Sequence, residues 1–190
     1  MPRLFTAIEL PDDVRAELYR LHLPLPGARW IKPQDYHITL RFAGDIEPVQ
    51  AREFADNLAS IDLDVFELRI SGLGAFGGND PSSVFAEVAP SPALESLARA
   101  HEKAARSAGL VPEKRPFKPH VTLARLRHSS PDAVARYLTR FSGYRSEPFF
   151  VSHAALMSSK PSVGGGPYGV VETFPLRGGA AMMDEADNAW

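Results

Sequence analysis

A chain of 190 residues, 44% hydrophobic and 23% charged, holds enough apolar material for one large domain or two small lobes. It contains no cysteine, which excludes disulfides, thiolate nucleophiles and Cys-type zinc sites. The formal charge of −2 becomes +1 once three acids near the C-terminus (Asp184, Glu185, Asp187) are set aside. Such a near-neutral, Arg-rich body suits an enzyme that grips one or a few phosphates better than a protein that neutralises a long phosphate backbone.

In chain order, RLFTAIE (Arg3 to Glu9) is a short apolar-rich strand, and Pro11-Asp12 opens an amphipathic helix to about Leu23. LPGARWIKPQD is a turn-rich connection holding Pro26-Gly27 and Pro33. Tyr36 to Ala43 is a strand ended by Gly44-Asp45, and Pro48 starts a helix to about Ser60. Asp64 to Leu73 reads as a strand, the glycine-rich GLGAFGGNDP as a hairpin turn, and Ser83 to Val88 as the partner strand. GLGAFGG lacks the Lys-Ser/Thr ending of a phosphate loop. Pro92 to Ala108 is a helix stopped by Gly109. The second half repeats the grammar: strand Val121 to Leu126, helix Pro131 to Phe141, strand Phe149 to Met157, the loop SSKPSVGGGP, and a closing strand Tyr168 to Leu176.

Each half is thereby expected to form a small sheet carrying helices, the two packing as pseudo-twofold lobes. The fold class is α+β: a bilobal domain over 1–177, of antiparallel sheets with outer helices and a central cleft. Residues 178–190 are expected to be a flexible acidic tail. No apolar run approaches the roughly 20 residues that span a bilayer, and MPRLFTAIELP is too short and too charged for a signal peptide. A soluble, cytoplasmic monomer without membrane contact is expected.

Two segments repeat one pattern. YHITL (Tyr36–Leu40) and PHVTL (Pro119–Leu123) use two of the six histidines and two of the five threonines. Strand side chains alternate, so His37 and Thr39 share one face, as do His120 and Thr122, and the aliphatic residues take the other. If the lobes face each other, two imidazoles and two hydroxyls converge. That set suits phosphodiester chemistry without a metal. A neutral His takes a proton from water, a protonated His gives one to the departing oxygen, and Thr hydroxyls donate to non-bridging oxygens. Two other readings stay open: each His hydrogen-bonded within its own lobe, or the pair as metal ligands with His153 or His128 as a third.

The chain resembles the 2H phosphoesterase superfamily, and within it the bacterial and archaeal RNA 2′,3′-cyclic phosphodiesterases, historically called 2′-5′ RNA ligases. The residues that carry this are RWIKPQDYHITLRFAGD, FKPHVTLAR and YGVVETFPL, with the opening RLFTAIELP, spanning about residues 1–177. Ala43 departs from the aliphatic residue common at its position. The resemblance implies a bilobal fold and metal-free, cofactor-free hydrolysis of a terminal 2′,3′-cyclic phosphate to a 2′-phosphate. It also implies reverse 2′-5′ ligation, RNA ends (tRNA fragments among them) as partners, and His37 as general acid with His120 as general base. That division of roles is not readable from the residues, because the two motifs look alike. A small cyclic nucleotide or 2′-5′ oligonucleotide as substrate, and a non-catalytic RNA-end binding module, stand as alternatives.

Arg125, five residues after His120, matches a phosphate-binding position of the family. Simple alternation puts it on the wrong face, so a strand end or bulge is required for it to bind substrate. Phe42 holds the equivalent place after His37, as a base-stacking platform or a core residue. Arg41 shares the parity of His37, so a phosphate contact and an exposed strand Arg are both open. Trp30 and Tyr36 read as packing residues, Tyr168 as a cleft-lining or structural residue, Lys160 as a solvated lysine in preference to a contact to the nucleotide chain, His153 as a core or cleft-wall residue, and His22, His101 and His128 as ordinary helix and loop residues.

Overall fold

The computed structural model describes residues 3–159 and 168–187. Ten strands and five helices follow in the order β1 (Leu4–Glu9), α1 (Asp12–Tyr19), β2 (Ala28–Trp30), β3 (His37–Gly44), α2 (Pro48–Ala59), β4 (Phe66–Leu68), β5 (Ile70–Phe76), β6 (Ser83–Val88), α3 (Pro92–Ser107), β7 (His120–Leu126), α4 (Pro131–Arg140), β8 (Phe149–Val151), β9 (His153–Ser159), β10 (Tyr168–Pro175) and α5 (Gly179–Asp187), with a 3-10 turn at Pro33–Asp35. Local chemistry explains the clearest starts. Ser91-Pro92 and Ser130-Pro131 open α3 and α4 alike: the serine hydroxyl accepts from the backbone N–H three residues on, at 3.2 Å in each case, and proline occupies the first turn.

The strands form one antiparallel sheet, ordered β10-β9-β1-β3-β7-β6-β5, with β2 added beside β7; β4 and β8 make a separate pair. The two sequence halves are therefore not two self-contained sheets. The β5–β6 hairpin of the first half pairs with motif strand β7 of the second, and β9–β10 of the second half return to β1 of the first. Long-range ladder pairing, invisible to local pattern, exchanges these strands between the sides.

Helices cover one face. Ile38, Leu40, Val121 and Leu123 are buried on it, in a core that takes Val14 and Leu18 from α1, Leu94 and Leu97 from α3, and Val134 and Tyr137 from α4. A second cluster joins Phe54 and Leu58 of α2 to Ala104 and Ala105 of α3, above Leu156 and Phe174.

Three local expectations are corrected. The segment around Arg29 is not only turn: Ala28–Trp30 form β2, too short to show a period. Strand β5 runs through the glycines to Phe76, and the turn begins at Gly77. Residues Gly179–Asp187, read as tail, form helix α5. Lys160 and the 160–167 segment lie outside the described residues.

Candidate active site

The two motif strands are neighbours. They meet at one antiparallel pair, Ile38↔Val121. On either side of it, strand direction sets His37 opposite Thr122, and Thr39 opposite His120. All four are half-buried on the sheet face that carries no helix. The inward alternates, Ile38 and Val121, have no solvent exposure.

Each strand then bulges at the same place. In β3 the register with β1 slips so that Thr6 faces Arg41 and Ala7 faces Thr39, leaving Leu40 as the extra residue. In β7 the register with β6 slips so that Val84 faces Ala124 and Phe85 faces Thr122, leaving Leu123 extra. A bulge inverts the alternation beyond it. Phe42 and Arg125, each five residues past its histidine, are consequently exposed on the face of the histidines. Arg41 is turned the other way, against the expectation from simple alternation. It is buried, paired through Nε with Glu102 of α3, and donates to the Phe42 and Val111 carbonyls. It is a structural residue.

Both imidazoles are held by the same device. His37 Nδ1 donates to the Asp35 carbonyl at 2.8 Å, and His120 Nδ1 to the Lys118 carbonyl at 2.6 Å, two residues back in each case. That bond selects the Nδ1–H tautomer and leaves Nε2 as the working nitrogen. Aromatic rings flank both. Phe5 and Tyr168 lie 5.1 and 5.0 Å from the His37 ring, and Phe76 and Phe85 each 5.1 Å from the His120 ring. Gly74 makes room beneath: a Cβ there would lie 2.6 Å from the Phe85 ring.

Burial pushes both imidazoles below their ordinary value. The backbone carbonyls oppose this, while the Arg125 guanidinium lowers both, so its charge acts at each histidine. The charged surroundings differ: His120 also lowers His37, and although Glu87 stands across the ladder from His120 as Glu9 does from His37, only Glu9 has a resolved effect, the smallest at its histidine. Glu9 acts on His37 and favours its protonated form, whereas Lys118 acts on His120 and favours the neutral form. Lys118 extends over the Phe76 and Phe85 rings, its Nζ 5.0 and 5.2 Å from their centres.

Glu9 is the strand neighbour of His37 across β1–β3. It meets His153 Nε2 at 3.4 Å and Arg15 at 3.8 Å, and its carboxyl is held below the usual value, chiefly by His153. His153 is thus a wall residue of the site. Glu9, Lys118, Phe5, Phe76, Phe85 and Arg29 were not singled out from sequence. Only the ladder brings Glu9, Phe5, Phe76 and Phe85 to the histidines and sets Arg29 against Arg125, whereas Lys118 is placed by sequence, two residues before His120 as Asp35 is before His37.

Trp30 stacks on His22, with ring centres 4.4 Å apart, and Tyr36 is buried against His22, so both are packing residues. His101 is buried, its Nδ1 2.8 Å from Thr6 Oγ1. A recess of about 620 Å³ beyond Phe42, lined by Gln50, Lys114 and Arg115 among others, contains neither motif histidine. The convergent histidines rather than that recess mark the chemistry. Among the described residues, no group of three or more His, Asp or Glu is placed to hold a metal ion.

The model of the LigT-like phosphoesterase family matches the chain twice, over residues 8–86 and 87–168. An RNA 2′,3′-cyclic phosphodiesterase of Geobacillus stearothermophilus is 31% identical over 185 residues, covering 92% of this chain and 57% of that protein. One from Thermus thermophilus is 30% identical over 188 residues, covering 93% of this chain and 91% of its own length. The chain thus spans little more than half of the Geobacillus relative. Among solved structures, Escherichia coli LigT complexed with 3′-AMP superposes with a TM-score of 0.76 at 24% identity, covering 93% of this chain and 99% of that one. A protein of known structure from Thermus thermophilus superposes with a TM-score of 0.75 at 26% identity, covering 92% and 98%.

Proposed function

Because this chain belongs to the LigT-like phosphoesterase family, we propose that it hydrolyses the terminal 2′,3′-cyclic phosphate of RNA to a 2′-phosphate. His37 is the general acid and His120 the general base. The observation that carries this reading is the pairing of β3 with β7, which brings together two imidazoles with identically anchored Nδ1 atoms and two threonine hydroxyls on one face.

His120 Nε2 takes a proton from water as its oxygen bonds to phosphorus. The P–O3′ bond breaks, and His37 Nε2 gives its proton to O3′. The phosphate stays on O2′, and the two histidines exchange one proton to reset. Thr39 and Thr122 donate to the non-bridging oxygens, with Arg125 balancing the charge that develops there. Phe42 offers a stacking face to the terminal base. The division of roles is the one the family resemblance implies; Glu9 beside His37 supports a proton there and Lys118 beside His120 supports a bare Nε2, while burial, His120 and Arg125 act at His37 in the opposite direction. An arriving phosphate anion strengthens protonation of His37 against the effect of burial. An RNA 5′-hydroxyl attacking in place of water gives a 2′-5′ linkage by the same bond changes. These steps use no metal or cofactor.

The test is a short RNA ending in a 2′,3′-cyclic phosphate, incubated in EDTA, with the product compared with 2′- and 3′-phosphate standards. A 2′-phosphate product that disappears in His37→Ala and in His120→Ala is expected, with each residue's loss costing at least about 10²-fold. Activity lost in EDTA and restored by a divalent ion would overturn the mechanism. Tight binding without turnover would make the protein an RNA-end binding module.

A further inference from the structure

Strand β2 contributes a residue to the site's face that the reaction above does not use. Its three residues pair with β7 in the register Ala28↔Leu126, Arg29↔Arg125, Trp30↔Ala124. Cross-strand partners project to the same side. Trp30 packs on the helical side against His22 and Tyr137, so its alternate, Arg29, is on the face of the histidines. Arg29 and Arg125 are both exposed there, directly opposite each other.

Like charges set directly across a ladder destabilise it. Several arginines of this protein are paired with carboxylates, Arg41 with Glu102, Arg15 with Glu9 and Asp12, Arg177 with Asp62 and Asp64, and others at the surface are not; what sets Arg29 and Arg125 apart is that they face each other across a ladder beside the histidines. Among the described residues, neither Arg29 nor Arg125 has a carboxylate within salt-bridge distance or a hydrogen-bond acceptor. Two facing guanidiniums next to a phosphate-handling pair of histidines form a binding place for anionic oxygens.

The arrangement fits two phosphates rather than one. Arg125 is on the histidines' face beyond the β7 bulge and its charge acts at both, which supports its place at the reacting phosphate. Arg29 lies one cross-strand step further out, about 5 Å away, and contributes no resolved effect at either histidine. One such step is comparable to the separation of neighbouring phosphates along a nucleic acid strand. The chain approaches closely enough for β2 to hold this place because Gly27, at φ +81°, turns directly before it against the Arg127 carbonyl. A Cβ there would overlap that oxygen.

Resting on the phosphodiesterase reading, we propose that Arg29 is a substrate-selecting residue that binds the phosphodiester immediately 5′ of the terminal nucleotide. The enzyme then prefers an oligoribonucleotide end over a cyclic mononucleotide, which has no second phosphate to offer.

The experiment compares a dinucleotide ending in a 2′,3′-cyclic phosphate with the matching 2′,3′-cyclic mononucleotide, in the native protein, Arg29→Ala and Arg29→Lys. The kcat/KM preference for the dinucleotide is expected to fall by about tenfold in Arg29→Ala, the size of one charge-assisted phosphate contact. It should recover in part in Arg29→Lys. The salt dependence of log kcat/KM for the dinucleotide should also flatten by about 0.7 in Arg29→Ala. An unchanged preference, or equal losses on both substrates, overturns the proposal. To separate this from failure of the phosphodiesterase reading, affinities for the 2′-phosphate products of the same two compounds are measured by calorimetry. If the native protein turns over neither substrate, Arg29-dependent binding of the dinucleotide product upholds the second phosphate site, and Arg29-independent binding or none overturns it.

Discussion

Ile38 of β3 and Val121 of β7 are the pair through which the two motif strands touch. Everything at the site is referred to this pivot. Antiparallel direction across it puts each histidine opposite the other motif's threonine, so each half-site borrows its hydroxyl from the other strand. In the proposed reaction neither motif is complete alone, since a phosphate between them would meet one acid, one base and two hydroxyl donors.

Glu9 stands beside His37 on the adjacent strand, and its carboxyl is held below its ordinary value, so it is ionised at neutral pH. A negative neighbour stabilises imidazolium. Glu9→Gln therefore lowers the proton affinity of His37, and the alkaline limb of the bell-shaped kcat/KM profile moves to lower pH. A shift in that direction is expected, and Glu9→Asp should restore most of it. An alkaline limb that does not move in Glu9→Gln would show that Glu9 only packs.

Gly74 lies under the ring that supports His120. A Cβ at this position would be 2.6 Å from Phe85 Cζ and 2.9 Å from a Glu87 oxygen, and Phe85 is 1% exposed, with no solvent side to retreat to. Gly74→Ala is expected to cost about 1–3 kcal/mol of stability. It should also lower kcat more than it raises KM, because displaced Phe85 misaligns His120. A melting curve and steady-state kinetics check both. Full activity would mean that the ring shifts without consequence.

His101 supplies an acid-sensitive element far from the chemistry. Burial lowers its imidazole to about 3, against an ordinary 6.5. Below pH 6.5 the unfolded chain takes up this proton and the folded chain does not, so stability present above pH 6.5 is lost as pH falls towards 3. The slope is up to about 1.4 kcal/mol per pH unit. Denaturant titrations between pH 7 and 4 should show it, and His101→Gln should remove that part. An identical slope in His101→Gln would assign the acid sensitivity elsewhere.

Arg41 is a structural arginine, unlike the two proposed to meet substrate phosphates. Its guanidinium is buried against Glu102 and two carbonyls on the helical side. Arg41→Leu leaves Glu102 and those carbonyls without their donor, at a cost of about 3 kcal/mol. The expected signature is a lowered melting temperature with KM nearly unchanged in the folded fraction. A large rise in KM at native stability would return Arg41 to the substrate.

The sequence by itself determined most of the elements and the residue pattern on which the proposed chemistry rests. Period-two alternation placed His37 with Thr39 and His120 with Thr122, and the repetition of one polar pattern singled out the four groups on which the proposed phosphodiester reaction rests. It also stated the condition for Arg125 to share their face, a bulge, without showing where one lies. Tertiary structure decided the rest, because ladder register is a relation between distant segments. The slip at Leu40 and Leu123 exposes Phe42 and Arg125 beside the histidines and buries Arg41 away from them. Pairing of β1 with β3 brings Glu9 to His37, pairing of β6 and β5 with β7 brings Phe85 and Phe76 to His120, and β2 sets Arg29 against Arg125. Glu9 is 28 residues from His37 in the chain, Phe85 is 35 from His120, and Arg29 is 96 from Arg125, so no local pattern encodes these neighbours. Hydrogen bonding between strands, and the side-chain directions it fixes, turns two ordinary-looking strands into one asymmetric site.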